Sequence, residues 1–272
     1  MARHWWVTLV AVAVVAGSAT AAVAALPSPA LTHAALSSAA SPLEVSPGHP
    51  MISSGGGSAL PGARTAQFNV TKSTNWSGYA LHTGRYRNVS ATWIEPKATC
   101  PTRGHRYAAF WVGLDGFASN SVEQTGTDSD CVGKTPSYYG WYEMFPAAPV
   151  FFRTQVKAGN EMSASVTFSG TDTYTLVLKN VSRGWTHTIV KHEAGLTRTS
   201  AEVITEAPSS NSGVLPLADF GTVVFSSVKV SGLLLRKLNP TRIVMIDGSG
   251  LAKDSTSLIA SDKFHNTWIR SS

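Results

Sequence analysis

The sequence predicts an all-β chain whose main body is one large antiparallel β-sandwich. Three observations lead there. Met162, Ala164, Val166 and Phe168 alternate with Ser163, Ser165 and Thr167, the period of a strand with one face buried. Turn-forming residues recur about every ten positions. No stretch sustains an apolar stripe at helical spacing.

The chain of 272 residues opens on Met1-Ala2-Arg3-His4, followed by an apolar run from Trp5 to Val15. Ala19-Thr20-Ala21 and Ala22-Val23-Ala24 come next as cleavage signals. A basic start, a short apolar centre and an A-x-A ending read as a secretory signal peptide over residues 1–24. Its strongly apolar part is shorter than the roughly 20 residues that span a bilayer. A secreted chain with no stable membrane association after cleavage is therefore expected.

Residues 25–66 differ from all that follows. Over 26–66, Ala, Ser, Pro and Gly fill 27 of 41 positions, and only Glu44 and Arg64 are charged. With few large side chains and no apolar period, such a segment reads as a propeptide or a linker. The sandwich is expected over 67–272. After the alternation at 162–168, Ser169-Gly170-Thr171-Asp172 supplies a turn, and Tyr174, Leu176 and Leu178 resume the pattern. Asn180-Val181-Ser182-Arg183-Gly184 breaks it again before Trp185–Val190, and Val223–Val230 and Ile243–Ile246 add strands of the same kind.

Composition narrows the function. Only 14% of residues are charged, against about 25% in ordinary soluble domains. The aromatic share of 9%, with 8 Trp, belongs to a packed chain rather than a disordered one. The net charge of +6 comes from a shortage of acids, 16 against 22 bases. No Lys/Arg cluster forms, so nucleic acid is not expected as a partner. Cys100 and Cys131 are the two cysteines. In an exported chain they are expected to pair, closing a loop of about 30 residues worth about 3–4 kcal/mol.

Several familiar constellations fail on spacing. His192-Glu193 has no second histidine four positions after His192, so it is not a zinc-protease helix. Asp247-Gly248-Ser249-Gly250 lacks the residues and context of a nucleophile elbow. The eight histidines show no metal-ligand spacing, and neither a metal nor a cofactor is expected.

What remains is a series of aromatic and polar blocks. They are Asn75-Trp76-Ser77-Gly78-Tyr79, Trp93-Ile94-Glu95-Pro96, Trp111-Val112-Gly113-Leu114-Asp115-Gly116 and Glu123-Gln124-Thr125-Gly126. Trp141-Tyr142-Glu143-Met144-Phe145-Pro146, Ala201-Glu202-Val203-Ile204-Thr205-Glu206 and Leu217-Ala218-Asp219-Phe220-Gly221 follow. In this order, from about Thr74 to the C-terminus, they resemble the glutamic peptidases (eqolisins), in the form of a secreted member of bacterial type.

The resemblance implies a concanavalin-like antiparallel β-sandwich (jelly roll), made as a preproprotein and acting as an acid endopeptidase on polypeptides. It implies a catalytic Gln–Glu pair: the glutamine of Gln-Thr-Gly matches Gln124, and the first glutamate of Ala-Glu-Trp-Ile-x-Glu matches Glu202. Val203 stands where the family has Trp, a departure that would alter groove shape or subsite preference.

The residues support the same chemistry. Amide hydrolysis needs a base for water and a donor for the developing oxyanion. A carboxylate at Glu202 can take a proton from water and return it to the leaving amine. The Gln124 amide offers an acceptor for the water and an NH₂ donor for the oxyanion. Glu202, Ile204 and Glu206 share one strand face, which makes Glu206 the second candidate for the base. Trp76 and Trp111 are candidate groove walls. Asp115 is a turn former or a supporting acceptor, and Glu143 a supporting or subsite carboxyl. His187 and His192 read as ordinary strand residues.

Two other classes fit the same architecture. A sandwich lined with Trp and Tyr can be a carbohydrate-binding, lectin-like module without catalysis. A glycoside hydrolase needs two carboxylates about 5–10 Å apart, which Glu143 and Glu202 could supply. Nothing demands more than a monomer. Sequons stand at Asn69, Asn75, Asn88 and Asn180.

Overall fold

A computed structural model describes residues 48–54 and 69–272 of the chain. The expected signal peptide, and all of 25–66 except 48–54, lie outside the described residues. The first half supplies β1 (Val70–Ser73), β2 (Trp76–Leu81), β3 (Asn88–Ile94), β4 (His105–Arg106), β5 (Ala109–Leu114), β6 (Val122–Val132), β7 (Thr135–Phe145) and β8 (Val150–Phe151). Then come β9 (Glu161–Gly170), β10 (Thr173–Asn180), β11 (Trp185–His192), β12 (Ala201–Glu206), β13 (Ser209–Ser210) and β14 (Gly213–Val214). The last are β15 (Thr222–Val230), β16 (Leu233–Leu234), β17 (Thr241–Met245), β18 (Asp254–Thr256) and β19 (Phe264–Trp268).

Two sheets hold nearly all of them. One runs β1-β17-β2-β12-β5-β6-β7-β8, with β4 also on β6; the other runs β11-β10-β9-β3-β15-β19-β18, with β16 on β15. Within these sheets neighbours are antiparallel, except that β1 runs parallel to β17. This is the expected antiparallel sandwich.

The second sheet follows its period-two pattern. Met162, Ala164, Val166 and Phe168 of β9 are buried, and the residues between them are half-buried or exposed. The turn after β9 places Thr171 and Asp172 at φ 47° and 53°, the left-handed pair that closes a two-residue hairpin. The break at 180–184 likewise separates β10 from β11.

The first sheet behaves differently. Every residue of β2, β5 and β12 is buried, so both of its faces are covered. Its inner face packs Tyr79, Phe110, Val112 and Val203 against Trp93, Met162, Leu176 and Phe225 of the second sheet. Its outer face carries another cluster built from Trp76, Trp111, Trp141, Ile204 and Ile243. Met51, Phe117, Tyr139, Phe145 and Phe151 pack over it. Fully burying side chains of this size contributes about 1.5–3 kcal/mol each, so the outer cluster is a second, smaller core.

The two faces correct one expectation. Val203 belongs to the inner core, because alternation along β12 turns it away from the side that Glu202, Ile204 and Glu206 share. The Trp-to-Val departure therefore bears on the packing between the sheets, not on a groove wall. Cys100 and Cys131 are joined as expected, with Cα atoms 5.3 Å apart, which fastens the segment before β4 to the end of β6.

Candidate active site

The register of the first sheet brings the expected residues to one side. Glu202 on β12 lies opposite Gly113 on β5; Gly113 lies opposite Gln124 on β6; Gln124 lies opposite Glu143 on β7. Directly paired residues share a face, so Glu143, Gln124 and Glu202 all belong to the outer face. Glu206 joins them four residues along β12.

Gly113 makes room for Trp111. A Cβ on Gly113 would stand 2.8 Å from Trp111 Cζ3 and 3.2 Å from Gln124 Cβ. The Trp111 indole thus lies beside Gln124, and its Nε1 donates to Glu206 Oε2 at 2.9 Å. Asn75 Nδ2 donates to Glu206 Oε1 at 3.4 Å. Trp76 packs edge-on against Trp111 with ring centroids 4.9 Å apart. Both candidate groove walls are fully buried.

Gln124 Nε2 donates to Glu143 Oε2 at 2.8 Å and to the main-chain oxygen of Gly48 at 2.8 Å. Gln124 Oε1 is buried and has no hydrogen-bond partner. The neighbouring His49 oxygen accepts from Trp76 Nε1 at 2.9 Å and from Asn75 Nδ2 at 3.5 Å. Two successive peptide carbonyls therefore bridge from Gln124 to the asparagine that holds Glu206.

Glu202 is not brought into that cluster. Neither of its oxygens has a partner at hydrogen-bond geometry, and the Ser200 side chain beside it only partly opposes the effect of burial. Burial pushes its carboxyl well above the usual range, and Asp115 and Glu123 push the same way. Burial also raises Glu206, with Glu143 adding to the rise while Trp111 and Asn75 oppose it. The two glutamates are equally buried. They differ in their neighbours: Asn75, which bonds Glu206, also contacts His49, and the polar groups near Glu202 lie at the other end of β12.

Asp115 serves a loop. It sits at φ 66°, and its carboxylate accepts from the backbone N–H of Thr197 (3.1 Å), Arg198 (2.6 Å) and Thr199 (2.8 Å). The hydroxyls of Thr197 and Thr199 add two more bonds. His187 stacks on Phe152 with centroids 4.0 Å apart, away from Gln124.

Sequence reasoning passed over three things. Asn75 was only one residue of a block, yet it bonds to Glu206 and to the 48–54 segment. The short segment Gly48–Ser54 lay hidden in an apparently structureless stretch. Buried acids also flank β6, Asp128 and Asp130 on the side of Gln124 and Glu95 on the other. Trp141 Nε1 donates to Asp128 Oδ1 at 2.5 Å, and the Tyr139 hydroxyl bonds to both Asp128 and Asp130. Glu95 accepts from Trp93, Thr127 and Ser129. Burial raises Glu95 and Asp130 to about 7. One signal was available: Asp128 follows Gln124 by four strand residues, hence shares its face.

Residues 74–265 match the sequence profile of the Peptidase A4 family. The chain belongs to the Peptidase A4 family. Aspergillopepsin-2 of Aspergillus niger is 27% identical over 186 residues, a match that covers 60% of this chain and 66% of that protein. The chain thus spans just under two thirds of that relative. Among solved structures, scytalido-glutamic peptidase with a transition state analog inhibitor aligns at a TM-score of 0.64 and 24% identity, covering 72% of this chain and 98% of the other. The aspergilloglutamic peptidase of Aspergillus niger aligns at 0.53 and 25% identity, covering 60% and 99%. The Peptidase A4 fold is thus this sandwich, and the neighbours that share it are glutamic peptidases.

Proposed function

We propose that this Peptidase A4 member is a secreted glutamic endopeptidase that hydrolyses polypeptides with Gln124 and Glu206 as its catalytic pair. One observation carries the reading. Gln124 Nε2 already donates to a peptide carbonyl, that of Gly48, at 2.8 Å, and the next carbonyl is bonded by the asparagine that also holds Glu206. A polypeptide backbone thus lies against Gln124 and against the asparagine that holds Glu206. The base role expected at Glu202 moves to Glu206, whose partners face that backbone.

The chemistry follows from the donors and acceptors. In hydrolysis the Gln124 NH₂ stabilises the oxygen of the substrate carbonyl as it gains charge. Gln124 Oε1, buried without a partner, is the acceptor for a hydrogen of the attacking water. Glu206 removes the other proton and delivers it to the leaving amine. A carboxyl whose pKa is raised by burial is the stronger base toward that water. Glu143 accepts one Gln124 N–H and so fixes which way the amide faces. Trp111 and Asn75 hold the Glu206 carboxyl in place. The basic, apolar, small-residue N-terminus and the disulfide support export. Polypeptides are the proposed substrates, and a monomer suffices.

The test is cleavage of a denatured protein from about pH 2 to 7 by the parent and by Gln124→Ala, Glu206→Gln and Glu202→Gln. Metal chelator and inhibitors of serine and aspartic peptidases are present throughout. Cleavage at acid pH that disappears in the first two variants and persists in Glu202→Gln is expected. Loss in Glu202→Gln with activity kept in Glu206→Gln would return the base to Glu202. An inert parent would sink the peptidase reading.

A further inference from the structure

Lys253 is a buried cation that no counter-charge meets. Its N–H donates to the Met245 oxygen at 2.8 Å, and its own oxygen accepts from the N–H of Ile269 at 2.9 Å and of Arg270 at 3.1 Å. These bonds fix its backbone between the end of β17 and the segment after β19, and the residue is only 4% exposed. The two acids that act on it, Asp247 and Asp254, are engaged elsewhere. Asp247 pairs with Arg270 at 3.1 Å and accepts from the N–H groups of Ser249 at 2.8 Å and Leu251 at 2.9 Å. Asp254 accepts from the Ser77 hydroxyl at 2.7 Å. Neither forms an ion pair with Lys253, since Arg270–Asp247 is the one ion pair among the described residues.

Lys253 lines a cavity of about 170 Å³ that opens to solvent. Val214, Leu215, Pro216 and Ile246 form an apolar wall, and Thr74 and Ser271 bring hydroxyls. An ammonium group taken out of water is unfavourable unless an opposite charge meets it. Burial lowers the Lys253 pKa to about 8, against the pull of Asp247 and Asp254. Over the acid range proposed for cleavage the amine therefore carries its charge. A carboxylate has the matching chemistry. It brings one negative charge for one positive and two oxygens for the ammonium and hydroxyl donors. Its short apolar stem suits the wall beside them.

We propose that the Lys253 cavity is a carboxylate-binding site. Neither Gln124 nor Glu206 lines it, so the site stands whether or not those two are the catalytic pair. The chain nonetheless ties it to them. Thr74 precedes Asn75, which bonds Glu206 at 3.4 Å, and the Leu215 N–H donates to the Pro208 oxygen at 2.8 Å, just past Glu206. The carboxylate held there is carried by a small ion or by an acidic group of a bound polypeptide. From either source it supplies the charge that Lys253 lacks.

The experiment uses the full chain. Its lysines are methylated with formaldehyde and dimethylamine–borane near neutral pH, and the extent at Lys253 is read by mass spectrometry. Sodium acetate at about 0.1 M is expected to slow reaction at Lys253 about fivefold against sodium chloride of equal ionic strength. The exposed Lys97 should react alike in both. Equal rates at Lys253 in the two salts, including no reaction in either, overturn the proposal. A second arm identifies the source. Cut sites in an unfolded protein are mapped for the parent and for Lys253→Met, which keeps a long stem and removes the charge. An excess of Asp or Glu at one fixed distance from the cut, lost in Lys253→Met, assigns the carboxylate to the polypeptide. Acetate protection without such an excess assigns it to a small ion. The first arm needs only the parent, so a Lys253→Met chain that fails to fold leaves the proposal testable. A parent that acetate protects but that cleaves nothing supports the site and rejects the peptidase reading alone.

Discussion

The indole N–H of Trp111 meets Glu206 Oε2 at 2.9 Å beside a cluster of large apolar side chains. Burial works against the carboxylate form of Glu206, and this bond works for it. The same ring stands over Gly113 beside Gln124. One side chain therefore adjusts the acidity of Glu206 and stands beside Gln124 as well.

Trp111→Phe keeps most of the ring and removes the donor. A hydrogen bond to a charged group is worth about 1.5–3 kcal/mol, so kcat/KM should fall about tenfold to a hundredfold. Glu206 should also bind its proton more tightly, and the acid limb of the pH–rate profile should move to higher pH. A fall in rate with an unmoved limb would show that the ring only packs.

Gly113→Ala should damage the same arrangement without touching any polar group. The added methyl would meet Trp111 Cζ3 at 2.8 Å and press on Gln124 Cβ. The ring must shift off Glu206. Activity should drop by more than tenfold, by analogy with other small misplacements at active sites, while far-UV circular dichroism stays that of the parent. Parent-like kinetics would place the ring elsewhere.

Glu202→Gln should separate burial from catalysis. The carboxyl is held with no hydrogen-bond partner, and burial raises its pKa. A neutral amide removes the cost of ionising it inside the fold. Activity should stay within a few-fold of the parent, and the melting temperature at pH 7 should rise. A thousandfold loss of activity, the scale of a lost general base, would contradict the assignment.

The buried carboxyls set the direction of the pH response. Burial raises Glu95, Asp130 and Asp254 to about 7 and Glu123 to about 9. A carboxyl raised in the fold contributes its full stabilisation below its unfolded pKa, near 4, and loses it as pH climbs through the folded value. For Glu95 alone this is about 3 kcal/mol at 1.36 kcal/mol per unit. The melting temperature should be highest near pH 3–4 and fall steadily to pH 8, by more than about 10 °C when several groups act together. Glu95→Gln should flatten part of that fall. Collapse near pH 3 with recovery at pH 7 would reverse the expected sign.

The second sheet was legible because one of its faces meets water. Solvent imposes the alternation of Met162, Ala164, Val166 and Phe168, and the turns between β9, β10 and β11 follow from Thr171-Asp172 and Asn180–Gly184. Strands β2, β5 and β12 carry no such alternation, since both of their faces are covered. Gln124 stood out through its neighbours in sequence. Choosing between Glu202 and Glu206 could not be done that way, because the two share a face and differ only in what other strands bring to them. Gly48, whose carbonyl meets Gln124, left no trace either, because it stands in a run of small residues with no period.

One feature of the charge arrangement reaches beyond the active site. Among the described residues the one ion pair is Arg270–Asp247 at 3.1 Å, and it lies partly exposed to water. Glu95, Asp128, Asp130 and Glu206 are held by hydroxyls, indoles and an amide instead. Dissolved electrolyte screens charge pairs near the surface and has little purchase on neutral hydrogen bonds in the interior. In acid, the fold should therefore hold equally well in dilute buffer and in brine.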